Sequence, residues 1–89
     1  MLELNLSKRS KDFLKSIHPR HATQLKVKIL NLKSEPFPHD TKPLTGYDFH
    51  RVDVGEFRII YKVEENTLYV PLIGKRNDAE VYKKLKRLL

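Results

Sequence analysis

The segment that decides the fold is VGEFRIIYKVEENTLYVPLIGKRNDAEVY, residues 54–82. β-Branched and aromatic residues alternate with polar ones on both sides of Glu65-Asn66, a dipeptide that favours a tight turn. Gly55-Glu56 supplies a second two-residue turn before the first of these runs. The segment therefore predicts an antiparallel meander whose strands cover roughly residues 48–54, 57–64 and 67–73, followed by a capped helix.

The residues before this segment predict one more strand and two helices. LELNL, residues 2–6, alternates apolar with polar residues as a half-buried strand does. Ser7 suits the N-cap of a first helix, and Pro19 suits the first turn of a second. The apolar positions fall on one side of each helix: Phe13, Leu14 and Ile17 in the first, and Ala22, Leu25, Ile29 and Leu32 in the second.

The proline-rich residues 36–46 lack periodicity and predict a loop that leads from the helices to the sheet. The fold class is therefore α+β, with a short N-terminal strand, a helical hairpin, a three-stranded antiparallel meander and a C-terminal helix. With 89 residues, the chain is long enough for one domain, residues 1–89, and too short for two.

The charge balance indicates the class of partner. Eighteen Lys and Arg against eleven Asp and Glu give a net charge of +7, which attracts nucleic acid or an acidic protein. Residues 75–89 alone hold six cations against two carboxylates. The chain has no cysteine, no apolar leader and no run of membrane-spanning length. We therefore expect a cytoplasmic protein that has no membrane partner.

The register of the first hairpin predicts which side chains share a face of the sheet. A turn at Gly55-Glu56 places Val54 opposite Phe57, and hence Asp53 opposite Arg58. The side chains expected to face the helices are those of Val52, Val54, Phe57, Ile59, Tyr61, Val63, Leu68, Val70 and Leu72. The opposite face should carry Arg51, Asp53, Arg58, Ile60, Lys62 and Tyr69. We expect this second face to be mostly polar, basic and open.

Cations also precede the last helix. Lys75 and Arg76 stand just before its first turn, where unpaired N–H groups and the helix dipole favour an anion such as phosphate. Tyr82 lies about one turn further along. Cations with one tyrosine, and no metal-ligand cluster, suit RNA cleavage by the substrate's own 2′-hydroxyl. That reaction requires neither a metal nor a cofactor.

Simpler interpretations stand beside this one. An exposed Arg58–Asp53 pair is, by itself, more often a solvated cross-strand ion pair of small energetic consequence. Tyr82 by itself is more often a partly buried helix residue with a solvated hydroxyl, and the cations of residues 83–87 are more often a solvated helix face. The four histidines have no spacing that indicates a metal site, and His50 falls on the core side.

Residues 44–85, LTGYDFHRVDVGEFRIIYKVEENTLYVPLIGKRNDAEVYKKL, resemble the second half of toxins in the RelE/ParE superfamily of type II toxin-antitoxin systems. The resemblance implies a RelE-like fold and, in the RelE branch, ribosome-dependent cleavage of mRNA by a toxin that a cognate antitoxin keeps inactive. By position, Arg58 resembles the family's phosphate-binding arginine and Arg76 its transition-state-stabilising arginine. Tyr82 resembles its C-terminal tyrosine.

The predicted RNA-binding set is wider than these three residues. Arg51 stands where the family often has a basic residue, and Lys62, Lys75 and Lys83 are expected to contact phosphate. Asp53 departs from the pattern, because RelE-like nucleases commonly carry a second cation there; we expect it to modulate the site. Two alternatives stay open, a ParE-like inhibitor of DNA gyrase and a basic module that binds nucleic acid or antitoxin without catalysis.

Overall fold

Residues 1–44, 46, 48–77, 83 and 85–87 are described by this computed structural model, and within them the chain forms five strands and two helices. The elements in chain order are β1 (Glu3–Leu6), α1 (Lys8–Ser16), α2 (Pro19–Ser34), β2 (Lys42–Pro43), β3 (His50–Val54), β4 (Phe57–Glu64) and β5 (Thr67–Lys75). Residues 83 and 85–87 are also helical. The predicted α+β class and element order are confirmed.

The two helices form the predicted hairpin and pack on one face of the sheet. The Ser7 Oγ accepts a hydrogen bond from the Ser10 N–H at 3.1 Å, which caps α1. Pro19 opens α2, whose predicted apolar stripe is buried throughout. Neither helix, nor any other helical stretch among the described residues, is long and apolar enough to cross a membrane.

The sheet has the strand order β1-β5-β4-β3-β2, with β1 parallel to β5 and the other neighbours antiparallel. Both predicted turns are present: Gly55 has a φ of 59°, and Glu65 and Asn66 have φ values of 49° and 65°. The predicted register of β3 and β4 is confirmed, with Asp53 opposite Arg58. Strand β2 was not predicted: its two residues lie in the stretch 36–46 that was expected to be a loop.

A bulge in β5 overturns one prediction about the faces of the sheet. Lys62 pairs with Tyr69 whereas Ile60 pairs with Leu72, so β5 carries one extra residue next to Pro71. Proline cannot donate to the sheet ladder, and an extra residue reverses the alternation of the side chains that follow it. Leu72 therefore lies on the face opposite the helices, and Ile73 takes the core position beside Ile59.

The face opposite the helices is also less open than predicted. Its centre is a second buried apolar cluster, made of Leu44, Phe49, Ile60, Leu72 and Leu85. Leu85 is fully buried, so the C-terminal helical residues pack on this face, whereas α1 and α2 pack on the other. This second cluster divides the polar face into two ends.

Candidate functional site

The first end of the polar face is built on a bidentate pair between Asp53 and Arg58. The Arg58 Nε donates to Asp53 Oδ1 at 2.7 Å, and the Arg58 Nη2 donates to Asp53 Oδ2 at 3.3 Å. The arginine side chain is 12% exposed and the carboxylate side chain 36%. Gly74 lies opposite Arg58 in β5 and contributes no side chain to this row of the sheet.

Two further arginines act on the same carboxylate. The pKa of Asp53 is lowered, first by the hydrogen bond from Arg58, and also by the positive charges of Arg58, Arg51 and Arg76, against an opposing effect of burial. The Arg76 N–H donates to the Glu56 carbonyl at 2.9 Å, which ties the end of β5 to the β3–β4 turn. We call Arg51, Arg58 and Arg76, together with Asp53, the arginine cluster.

The arginine cluster has the chemistry of a site for one phosphate group. The charges of three guanidinium groups, which persist at any physiological pH, act on one carboxylate, so an approaching anion meets a net positive charge. Planar guanidinium donors match phosphate oxygens in pairs. Arg76 is exposed, the Arg51 side chain is partly buried, and the Arg58 side chain is largely buried. The cluster joins four of the residues that the sequence assigned to the site: Arg51, Asp53, Arg58 and Arg76.

The structure places the predicted phosphate-binding lysines elsewhere. Lys62 lies four residues along β4 from Arg58, a separation of about 13 Å, and the second apolar cluster lies between them. Its ammonium forms an ion pair with Glu64 at 2.9 Å, which raises the pKa of Lys62. Lys75 pairs with Phe57, on the helix side of the sheet, and is exposed. Lys83 is an exposed residue of the C-terminal helical stretch.

Tyr82 lies outside the described residues, and so do Val81 and Leu88, which the sequence predicts to be buried together with Leu85 in the last helix. The helix expected after Arg76 is confirmed at residues 83 and 85–87. Leu85, three residues after the tyrosine, is buried on the same face of the sheet as the arginine cluster. The role of Tyr82 therefore stays a prediction.

An aromatic group under β3 and β4 was not predicted. The rings of Phe37 and Tyr61 each lie beside the ring of His50, at centroid distances of 4.9 and 5.9 Å. The Tyr61 hydroxyl donates to the Pro36 carbonyl at 2.5 Å and shares a hydrogen bond of 2.6 Å with Thr41 Oγ1. Burial raises the pKa of Tyr61. This tyrosine is structural, because it fastens the loop before β2 to the sheet.

Solved structures share this architecture. A mutant of the E. coli toxin RelE in the free state superposes with a TM-score of 0.82 at 22% sequence identity, covering 99% of this chain and 98% of that one. The isolated E. coli RelE toxin gives a TM-score of 0.75 at 22% identity, with both chains fully covered. The fold is that of the RelE toxins.

A protein from an archaeon has the same fold. In the RelE-RelB complex from Pyrococcus horikoshii, the matching chain gives a TM-score of 0.77 at 23% identity, covering 88% of this chain and 98% of that one. No protein-family model matches the sequence, and no curated protein matches it. At these identities the likeness establishes the RelE-like fold, and the site must be argued from the residues of this chain.

Proposed function

We propose that this protein is the toxin of a type II toxin-antitoxin system and a RelE-type endoribonuclease, which cleaves mRNA on the ribosome and so inhibits translation. The observation that carries the proposal is the arginine cluster, on the sheet face opposite the helical hairpin of a RelE-like fold. A purely structural ion pair with Asp53 would need only one arginine. The charges of three arginines at this carboxylate suit the binding of a phosphodiester better.

The proposed reaction is an attack of the substrate's 2′-hydroxyl on the adjacent phosphate. The attacking oxygen loses its proton, the phosphorus passes through a pentacovalent state, and the 5′-oxygen of the next nucleotide leaves with a proton. Arg58 and Arg76 would bind the phosphate oxygens and stabilise the charge that grows in the transition state. Arg51 would bind a neighbouring phosphate.

Tyr82 is the proposed proton carrier. A tyrosine has an ordinary pKa of about 10, so it can accept a proton at neutral pH only where cations lower that value. The guanidinium of Arg76, six residues earlier and at the exposed end of β5, is the proposed source of this effect. Lys62, Lys75 and Lys83 would bind RNA away from the scissile phosphate.

The proposed partner is an antitoxin with an acidic segment. The matching chain from Pyrococcus horikoshii belongs to a RelE-RelB complex. We propose that an antitoxin of this kind inactivates the present chain by covering the basic face of the sheet and the last helix. Carboxylates of such a segment would occupy the arginine cluster in place of phosphate.

Primer extension on mRNA under translation tests the proposal. The purified protein should produce new 5′ ends within ribosome-bound codons, and Arg76→Ala should remove them. Lys86→Ala, which takes away one exposed cation of the C-terminal helical stretch, is the matched control and should cleave as the unmodified chain does. Intact mRNA together with blocked supercoiling by gyrase would favour the ParE-like function instead, and neither effect would favour a binding module.

A further inference from the structure

The positive charge of the chain is concentrated on the helical hairpin. Residues 8–34 hold eight of the 18 Lys and Arg and only one of the eleven Asp and Glu. The net charge of these residues is therefore +7, the same as that of the whole chain. The remainder of the chain is electrically balanced. The hairpin packs on the sheet face opposite the arginine cluster, so the protein carries a second basic surface that the proposed nuclease site does not use.

The cations of this second surface are available to a partner. Arg9, Lys11, Lys15, Arg20 and Lys26 are all exposed, and none of them pairs with a carboxylate within the part of the chain that the structure describes. The one carboxylate of the hairpin, Asp12, lies 4.0 Å from Lys8. These five side chains are therefore available to bind an anionic partner.

Cations from both helices also converge. Lys11 and Lys15 of α1 and Lys26 of α2 border one groove between the helices, with a volume of about 430 Å³ and with Thr23 at its edge. Lys8, Lys11 and Lys15 recur at three- and four-residue steps and so lie along one side of α1. The 16 residues of α2 extend this basic surface over about 24 Å.

The residue types favour an RNA backbone over a protein. Lysine is depleted at protein interfaces, where aromatic residues and arginine are enriched, and the hairpin as a whole holds six lysines and two arginines. Single-stranded RNA is held largely by stacking on aromatic rings. The hairpin has no tyrosine or tryptophan, and its one phenylalanine, Phe13, packs inward against Phe57. Phosphates of a duplex are the polyanion that such a surface fits.

We propose that the outer surface of the helical hairpin is a second RNA-binding surface, which takes the phosphate backbone of double-helical RNA. Ribosomal RNA would supply such helices, so the biological role rests on the proposed function. Duplex binding itself needs no cleavage. The chain would then be held by structured RNA on the helix side while its sheet face meets the mRNA.

Binding of the full chain to a 20-base-pair RNA duplex, followed by fluorescence anisotropy at several salt concentrations, tests this surface. All variants carry Arg76→Ala, so that the result does not depend on cleavage. The hairpin variant replaces Lys11, Lys15 and Lys26 by Gln. Each phosphate that a cation neutralises contributes about 0.9 to the slope of log affinity against log salt, so removing these three lysines should lower the slope by about 2.7 and the affinity roughly 100-fold at 0.15 M salt.

A matched variant distinguishes binding at the hairpin surface from a general effect of lowering the net charge. Lys42, Lys86 and Arg87 are three exposed cations outside the hairpin, and their replacement by Gln should weaken duplex binding less than threefold. Equal losses in both variants, or no loss in the hairpin variant, would overturn the proposal. So would a hairpin variant that keeps duplex binding and loses binding to poly-L-glutamate, which would assign the surface to an acidic protein. Thermal unfolding should be unchanged in both variants.

If duplex binding behaves as expected while the unmodified chain fails to cleave translated mRNA, the second surface stands and the proposed nuclease function falls. If cleavage occurs and the duplex results are negative, the nuclease function stands alone. The two proposals therefore fail separately.

Discussion

Replacing Asp53 by Asn tests how the arginine cluster is held. The carboxylate is 36% exposed and accepts two hydrogen bonds from a largely buried guanidinium, one short at 2.7 Å and one long at 3.3 Å. Exposed pairs contribute about 0.2–1 kcal/mol, and bidentate geometry favours the upper end. We expect Asp53→Asn to lower the free energy of unfolding by about 1 kcal/mol at pH 7, a fall of roughly 4–8 °C in Tm.

The effect should depend on pH with a defined sign. The pKa of Asp53 in the folded chain is lowered from the ordinary value of 3.8, chiefly by the hydrogen bond from Arg58. The pair therefore stabilises the fold fully above that ordinary pKa, and the stabilisation is lost as the pH falls through the lower folded value. Chemical denaturation of both proteins between pH 7 and pH 2 should show a difference that is constant above the ordinary pKa of 3.8 and shrinks as the pH falls below it.

Asp12→Asn is the control for this experiment. Its carboxylate is 59% exposed and lies 4.0 Å from Lys8, so its removal should change the unfolding free energy by less than about 0.5 kcal/mol at every pH. If Asp53→Asn matched this control at pH 7, or if its effect grew in acid, the Asp53–Arg58 pair would not stabilise the fold in the way described.

The same carboxylate should also govern RNA binding. A phosphate bound to the arginine cluster would be repelled by Asp53, and two unit charges about 6 Å apart in water interact by about 0.7 kcal/mol. Asp53→Lys reverses the charge, so we expect ribosome binding and single-turnover cleavage to rise by about tenfold. If orientation of Arg58 matters more, Asp53→Asn should cut cleavage sharply with little change in binding. A folded Asp53→Lys variant with unimpaired ribosome binding and lost cleavage would contradict our expectation.

Three further predictions concern the core and the proposed chemistry. Leu72→Ala in the second apolar cluster should cost about 2–5 kcal/mol in denaturant unfolding, whereas Leu30→Ala, 55% exposed on α2, should cost less than about 0.5 kcal/mol. Tyr61→Phe should cost about 1–3 kcal/mol by the same measurement, because it removes two hydrogen bonds, one of them the bond donated to the Pro36 carbonyl. Arg76→Ala and Tyr82→Phe should each abolish growth arrest in an inducible expression assay without changing Tm, and full toxicity of both folded variants would remove their catalytic assignment.

The order of the elements and much of the sheet register can be predicted from local chemistry. Gly55 has the positive φ that its two-residue turn requires, and that turn alone aligns Asp53 with Arg58. The helical hairpin follows from Ser7, Pro19 and a regular apolar stripe. These features are predictable because each depends on residues close together in the sequence.

The features that were not predicted depend on residues far apart in the sequence or on a single β-bulge. The bulge beside Pro71 reverses the side of Leu72, and strict alternation cannot anticipate an extra residue. The apolar cluster that separates Lys62 from Arg58 needs Leu85, which reaches the sheet only in the folded chain. Strand β2 exists because residues 42–43 find β3 as a partner, not because of their own propensity.

The basic surface of the helical hairpin is hard to predict for a different reason. The cations near the C-terminal end are conspicuous because they adjoin the arginine motif, whereas those of α1 and α2 resemble the ordinary polar sides of two amphipathic helices. The uneven distribution of charge between the hairpin and the rest of the chain is present in the sequence. Its meaning depends on the fold, since only the fold places the hairpin on the side of the sheet away from the arginine cluster.

The central claim is that the arginine cluster cleaves mRNA through the substrate's own 2′-hydroxyl. The most direct test is single-turnover cleavage on ribosomes programmed with two mRNAs that differ at one position, the nucleotide on the 5′ side of the cleaved bond, which carries either ribose or 2′-deoxyribose. We predict cleavage of the ribose message and none of the deoxyribose message, with equal binding of the protein to both ribosomes. Cleavage of the deoxyribose message at the same bond would contradict this claim.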